Sequence, residues 1–539
     1  MSLRLGNRSR FIASLSALLI LCGALEAAGQ ISVSTYHYDN YRTGWNPNET
    51  VLTRANVGSS SFGLLHTVAL DDQVDGQPLL VPNVAITAGN YQGLHNVVYV
   101  ATENNTVYAI DAGSGTVLLE RHLGKPVSYP LGCNNNGPNV GITSTPVIDT
   151  TISTLYLMAY TTSAAGPAYH LHAIDLGSLK DKVTPELVTG SHTLTDGTSF
   201  TFNATYQRQR PGLLLANGNV YAGFGSFCDS SANLSRGWLL GWSAGSLTPL
   251  PANQLFDTQA SSPDSFFLSS IWMSGYGLAA DDSGNVLFVT GKSDYSGTTY
   301  DGVSNIQESV VKVSQNLTTV LDLFTPSNQA TLDEGDTDFG SGGLLVLPDQ
   351  AGSISHLAVA AGKFGSMYLM NEDHLGGYST SKNNVLGTYT VGACWCGQSY
   401  FVDADGAGRV VSSGGNSLNI WKLATSPKPS LSKFATSPFI NGGQNPGIFT
   451  TISSNGSSNA IVWALSHPIS PAQPGIFLFA FNPDSSSTMT QIFKGAAGSW
   501  PNYNGNSNLV PVVANGNVYV ASNKQLRIFG LKAASAGRK

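Results

Sequence analysis

Four cationic side chains, Arg208, Arg210, Lys292 and Lys363, and two indoles, Trp272 and Trp395, are the residues of this sequence best suited to hold a ligand. Guanidinium and ammonium groups bind carboxylates or phosphates, and an indole face stacks on a ring or a cation. Asp75, Gln77, Glu103, Asn104, Asp229, Asp294, Asp338, Ser341 and Asn416 could add hydrogen-bonding or acid–base groups. Other chemistries lack their patterns. Asp333, Glu334, Asp336 and Asp338 are dense in carboxylate but not spaced as an EF-hand, so they read as a solvated acidic loop. None of the ten histidines forms a zinc motif, and no metal is expected. Ser274 lies in Met-Ser-Gly rather than in a Gly-x-Ser-x-Gly elbow, and no glycine loop is built to cradle a phosphate. The candidate residues are spread over more than half the chain, so only a fold that returns repeatedly to one place can unite them.

Repeats supply such a fold. An apolar segment, a turn rich in Gly, Asn or Asp, and a β-branched and aromatic strand recur together. Clear copies are Gln77-Pro-Leu-Leu-Val with Asn96-Val-Val-Tyr-Val-Ala-Thr, and Thr145-Pro-Val-Ile-Asp with Thr154-Leu-Tyr-Leu-Met. Eight copies have second strands centred near Val98, Tyr156, Tyr221, Phe288, Ala358, Val411, Val462 and Tyr519, spaced 51 to 70 residues apart. That interval fits one four-stranded blade and a variable loop, and no segment carries a helical stripe over three turns. The chain is therefore expected to be all-β, an eight-bladed β-propeller of four-stranded antiparallel blades. Ile31 to Trp45 precede the first copy and are expected to give a strand to the last blade or a latch beside it.

In a propeller blade the first strand starts, and the second strand ends, on the same face near the axis. This rule gathers the candidates into one pocket. Asp75, Gln77, Arg208, Arg210, Trp272, Asp338, Ser341 and Trp395 fall at first-strand starts; Glu103, Asn104, Asp229, Lys292, Asp294, Lys363 and Asn416 fall at second-strand ends. The expected ligand-binding set is Gln77, Glu103, Arg210, Trp272, Lys292, Asp338, Lys363 and Trp395. An alternative is that polar loops ring any such tunnel and their charges neutralise one another. The rule also sets Cys133 beside Cys228, which predicts a disulfide clamping two neighbouring loops. Cys394 and Cys396 either close a tight Cys-x-Cys ring or stay a redox-active pair.

The run Val97-Val-Tyr-Val-Ala-Thr-Glu-Asn-Asn-Thr-Val-Tyr-Ala-Ile-Asp-Ala-Gly-Ser-Gly-Thr-Val-Leu-Leu-Glu120 resembles the repeat of pyrroloquinoline quinone (PQQ) propellers. Tyr41-Arg-Thr-Gly-Trp-Asn-Pro-Asn-Glu-Thr50, Gly141-Ile-Thr-Ser-Thr-Pro-Val-Ile-Asp149, Trp272-Met-Ser-Gly275 and Phe339-Gly-Ser-Gly-Gly-Leu-Leu345 look like those of exported bacterial members of this quinoprotein-like superfamily. The resemblance implies the same fold and, in its enzymes, PQQ with Ca²⁺. Three departures stand against that activity. Leu119 occupies the place of the docking tryptophan. Lys292 occupies the place of an asparagine that helps hold Ca²⁺, and an ammonium cannot ligate that ion. Cys394-Trp395-Cys396 replaces adjacent cysteines. The expectation is a ligand-binding or protein-interaction module without catalysis and without a cofactor. Its rival is a PQQ-dependent dehydrogenase of an alcohol or sugar, with Asp294 or Asp338 as general base. A propeller lyase or glycosidase would need paired carboxylates at a set separation.

Composition fits an exported protein. Arg4, Arg8 and Arg10 precede a mostly apolar run from Phe11 to Leu25 and small residues near Ala27-Ala28-Gly29, so 1–29 reads as a signal peptide and 30–539 as one domain. That places the mature chain in the periplasm or outside the cell, with its four remaining cysteines in an oxidising compartment. Net charge is −7; losing Arg4, Arg8 and Arg10 against only Glu26 makes it −9. Nucleic acid is therefore not an expected partner, and no later run is long enough to span a membrane. A small molecule, glycan or protein at the face of a monomer is.

Overall fold

A computed structural model describes residues 29–533, except 136, 229–234, 261–266, 294–298, 441 and 485. Eight antiparallel sheets follow one another along the chain and form an eight-bladed propeller. The first blade consists of Leu79–Ile86, Gly93–Ala101, Thr106–Asp111 and Val117–His122. The next six span 147–187, 208–255, 279–325, 344–390, 399–436 and 450–499, and the eighth spans 512–531. Period-two patterning puts alternate side chains on opposite blade faces, and each face finds its partner in the neighbouring blade. Leu79, Val97 and Tyr99 of the first blade pack on Leu155 and Leu157 of the second, and Leu345 and Val359 of the fifth pack on Tyr400 and Val410 of the sixth. The core is thus distributed between blades around the ring. Among the described residues no helix is long and apolar enough to cross a membrane.

The strand that closes the ring is Phe62–Ala69, which pairs antiparallel with Gln525–Leu531 of the eighth blade. Of the two expectations for Ile31 to Trp45, the strand in the last blade is corrected and the latch beside it holds in part: Ile31 bonds the Asn515 side chain and the Tyr38 hydroxyl bonds Val513, while the segment as a whole threads the axis. Val33 exchanges two backbone hydrogen bonds with Leu80, and Ser34 accepts from the Ile148 amide. The Asn40 side-chain amide donates to Leu215, and the Asn40 carbonyl accepts from the Ala280 amide. Tyr41, Thr43 and Gly44 accept from the amides of Val346, Tyr400 and Ile452, and the Asn46 side chain donates to Val513. Those partners lie in the first strand of each of the eight blades in turn. The inner edge of a blade would otherwise present unpaired backbone groups, and the segment satisfies a share of them in every blade. No regular strand can do this, because its bonds would all run to one neighbour.

Arg42 fixes the segment. It is fully buried, and its guanidinium donates to Thr35 Oγ1 and to the carbonyls of Leu278, Tyr36, Asp39 and Leu213 at 2.7 to 3.2 Å. Tyr276 stands beside it, its hydroxyl donating to the carbonyls of Arg42 and Gln398. Gly343 and Gly397 flank the Tyr276 ring so closely that a Cβ at either would run into it. Below the cavity described next, the axis is filled.

Candidate functional site

First strands run from the cavity end of the propeller toward the contacts of the axial segment. Residues just before them therefore face open space above that segment. A cavity of about 160 Å³ lies there, lined by Arg208, Arg210, Trp272, Asp338 and Trp395 from such positions, and by Ser226, Phe227 and Lys363 from second-strand ends. Asn135, Asn445, Asn504, Gly505, Asn506 and Asn508 complete it from the loops before the second, seventh and eighth blades.

Local strain and covalent links present the indoles. After Trp272 the backbone passes through three positive φ values, 39° at Met273, 52° at Ser274 and 87° at Gly275. Left-handed conformations at non-glycine residues cost energy and persist where neighbours hold them; here the Ser274 hydroxyl donates to the Ser341 carbonyl at 2.7 Å. Trp395 sits between Cys394 and Cys396, which are joined in a disulfide, and its amide donates to Pro446. A second disulfide joins Cys133 to Cys228, with Cα atoms 5.3 Å apart, and so ties the loops that carry Asn135 and Phe227.

Charge is arranged in two groups. On one side Arg208 and Arg210 stand near Asp75 and Glu103. The Glu103 carboxylate accepts from the Gly141 amide at 2.6 Å and from the Thr143 hydroxyl at 3.1 Å. Burial, with Asp75 beside it, pushes Glu103 well above the usual carboxylate range. Burial, with Arg208 adjacent, lowers Arg210 to about 9 against the opposing pull of Asp75 and Glu103. The Arg210 guanidinium lies 5.9 Å from the Trp272 ring centre, and among the described residues nothing accepts a hydrogen bond from it.

On the other side, Lys363 lies 5.3 and 5.5 Å from the ring centres of Trp272 and Trp395 and pairs with Asp336 at 3.1 Å and Asp338 at 3.4 Å. Lys292 pairs with Asp336 at 3.0 Å. Burial would raise Asp336, but Lys363 and Lys292 outweigh it and hold it low. Glu308, with a φ of 51°, is buried behind Asp338 and accepts from the Phe339 amide; burial and Asp338 push it well up.

Of the eight expected ligand-binding residues, Arg210, Trp272, Asp338, Lys363 and Trp395 line this cavity. Gln77, Glu103 and Lys292 do not. Gln77 accepts from the His37 amide and donates to the Thr35 carbonyl, so the axial segment occupies it. Glu103 and Lys292 lie in the supporting charge groups. Asn104 donates to Asp71, and the Ser341 hydroxyl donates to backbone carbonyls. Asp294 and Asp229 lie outside the described residues. Asn135, Asn445, Asn504, Asn506 and Asn508 were missed from the expected set, although they too precede first strands.

No family model and no curated protein sequence matches this chain. Solved structures do. A quinohemoprotein alcohol dehydrogenase from Comamonas testosteroni is 12% identical, with a TM-score of 0.59 over 94% of this chain and 82% of that one. Another from Pseudomonas putida HK5 is 13% identical with a TM-score of 0.57, over 94% of this chain and 82% of its own. A europium-containing methanol dehydrogenase is 10% identical, with a TM-score of 0.57 over 93% of this chain and 98% of that one. This chain shares the eight-bladed propeller fold of these structures. At such identity the likeness shows the fold alone, and a shared fold does not carry an activity with it.

Whether this propeller fits the PQQ and Ca²⁺ of the enzymes it resembles is decided by its donors. Ca²⁺ takes six to eight oxygens, carboxylates prominent among them. Among the described residues, the groups of three carboxylate or histidine ligand atoms close enough to share an ion are Asp282, Asp349, His356 and His356, Glu372, Asp373. His356 and Asp349 lie at the far ends of the fifth-blade strands whose near ends carry Lys363 and Asp338, so neither group is at the cavity. At the cavity Lys292 and Lys363 hold Asp336 and Asp338 in ion pairs, and Lys363 lies close to both indoles. The described donor set does not fit the metal.

Proposed function

We propose that this protein is an exported binding propeller whose face cavity captures a small anionic molecule and performs no redox chemistry of its own. The observation that carries this reading is Arg210: a guanidinium at a cavity wall, 5.9 Å from the Trp272 ring centre, without a hydrogen-bonded acceptor among the described residues. Five N–H donors in a planar fork match a carboxylate or phosphate, and such charge-assisted bonds are the strong ones. Binding would restore to Arg210 the stabilisation that burial removes. Trp272 and Trp395 then bracket whatever the anion is attached to, while the filled axis restricts entry to one face. The signal-like segment 1–29 and the two disulfides support export.

Two titrations of the mature protein test this. Calorimetry with acetate, citrate, inorganic phosphate and galacturonate should find saturable binding of at least one. PQQ, with and without Ca²⁺, followed by absorbance and melting temperature, should give no Ca²⁺-dependent change, and no alcohol or sugar should be oxidised with an artificial acceptor. Ca²⁺-dependent PQQ binding with turnover would replace this reading by the dehydrogenase.

A further inference from the structure

Resting on that reading, we infer that the ligand is an acidic sugar, a uronic acid that is free or terminates an oligosaccharide. Three features beyond the charge select it. The first is a set of amides without partners. Asn508 has both its side-chain oxygen and nitrogen buried with no hydrogen-bond partner among the described residues, and the Asn506 side-chain nitrogen is in the same state. Buried polar atoms are normally paired, and each orphan costs about 1–3 kcal/mol. Both residues line the cavity, and the terminal torsion of an asparagine is soft, so a small rotation turns these amides toward its contents. An amide offers donors and an acceptor side by side. Adjacent sugar hydroxyls, each able to donate and accept, answer that pair; an aliphatic or aromatic acid does not.

The second feature is the pair of indoles. A pyranose ring has an apolar C–H face and a polar rim, which suits a cavity lined both by the indoles Trp272 and Trp395 and by asparagine side chains. The third is size. A drug-sized ligand occupies a pocket of roughly 300–1,000 Å³, and a cavity of about 160 Å³ takes one ring. The rim is also made firm for this purpose. Gln444 donates to the carbonyls of Tyr503 and Gly505 and accepts from the Ser507 amide, and the Trp500 indole donates to Gly505, so the loop bearing Asn506 and Asn508 is fixed from behind. With the ring so placed, the uronate carboxylate meets Arg210 and the hydroxyls meet the amides.

The test titrates the mature protein with three compounds of one ring each: galacturonate, galactose and cyclohexanecarboxylate, with glucuronate and glucose as a second matched pair. A uronate should bind at least about tenfold more tightly than its neutral sugar and than the hydroxyl-free acid. Asn508→Ala should weaken uronate binding about five- to thirtyfold and leave cyclohexanecarboxylate unaffected. Its melting temperature should be equal to or above wild type, since an orphaned amide is removed; a purely structural asparagine would lower it. Cyclohexanecarboxylate binding as tightly as both uronates, or citrate or phosphate binding where neither uronate does at millimolar concentration, overturns the sugar class and leaves the anion site standing. Galactose or glucose matching its uronate overturns the role given to Arg210. No binding by any of these anions overturns both readings.

Discussion

Replacing Arg42 with methionine keeps most of the side-chain volume and removes five donated hydrogen bonds at the centre of the propeller. Four of the acceptors are backbone carbonyls, and two of those, Leu278 and Leu213, belong to different blades. Removing a buried charge from a hydrogen-bonded network costs about 3–5 kcal/mol, because the acceptors left behind cannot reach water. Unfolding entropy of about 2.1 cal/mol/K per residue over roughly 500 residues is about 1 kcal/mol/K. The melting temperature should therefore fall by only about 3–5 °C. Hydrogen exchange reads the effect more sharply. The amides of Ile148, Ala280, Val346, Tyr400 and Ile452, in the second, fourth, fifth, sixth and seventh blades, all donate to the axial segment. If Arg42 seats that segment, the same 3–5 kcal/mol becomes a loss of protection of about a hundredfold to several thousandfold, shared by these amides. Protection unchanged within tenfold at all five, in a protein that is folded, would refute the role given to Arg42.

Two further predictions concern the charge groups and the rim. Burial, reinforced by Asp338, pushes the Asp333 carboxyl up to about 7, despite the bond it accepts from the Ser293 amide. A carboxyl raised above its unfolded value contributes fully below about pH 4 and loses that contribution as pH rises through 7. Asp333→Asn, which can still accept from Ser293, should therefore gain on wild type by roughly 2–4 kcal/mol between pH 4 and 8 in denaturant unfolding, and parallel pH profiles would contradict this. The Cys133–Cys228 disulfide spans 95 residues. Its double serine variant should lose about 2–4 kcal/mol of stability and also bind anions more weakly, since Asn135 and Phe227 sit on the freed loops; calorimetry and denaturant unfolding read both.

The ring of blades was readable because each repeat carries its own period-two pattern and turn, and eight copies admit few other folds. Arg210, Trp272 and Trp395 were readable for a related reason: a residue just before a first strand must face the axis at one end. Gln77 obeys the same rule, yet His37 and Thr35 claim it, and nothing in its local sequence announces partners about forty residues away. The axial segment itself was hidden because its hydrogen bonds are distributed over eight blades, which leaves 31–46 with no periodicity to detect. Conversely, Phe62–Ala69 carries little of the β-branched signal of a strand and owes its conformation to Gln525–Leu531. Asn506 and Asn508 lie in a loop whose composition reads as filler; their importance rests on buried amide atoms without partners, a property that only three-dimensional packing exposes.

Anion capture at the propeller face rests on Arg210. Titration calorimetry of wild type and Arg210→Gln with acetate, citrate, inorganic phosphate and galacturonate, beside the distant control Arg121→Gln, tests it most directly. Whichever anion wild type binds, Arg210→Gln should bind it about ten- to a hundredfold more weakly at an unchanged melting temperature, while Arg121→Gln should match wild type. Equal affinity in wild type and Arg210→Gln would contradict the account.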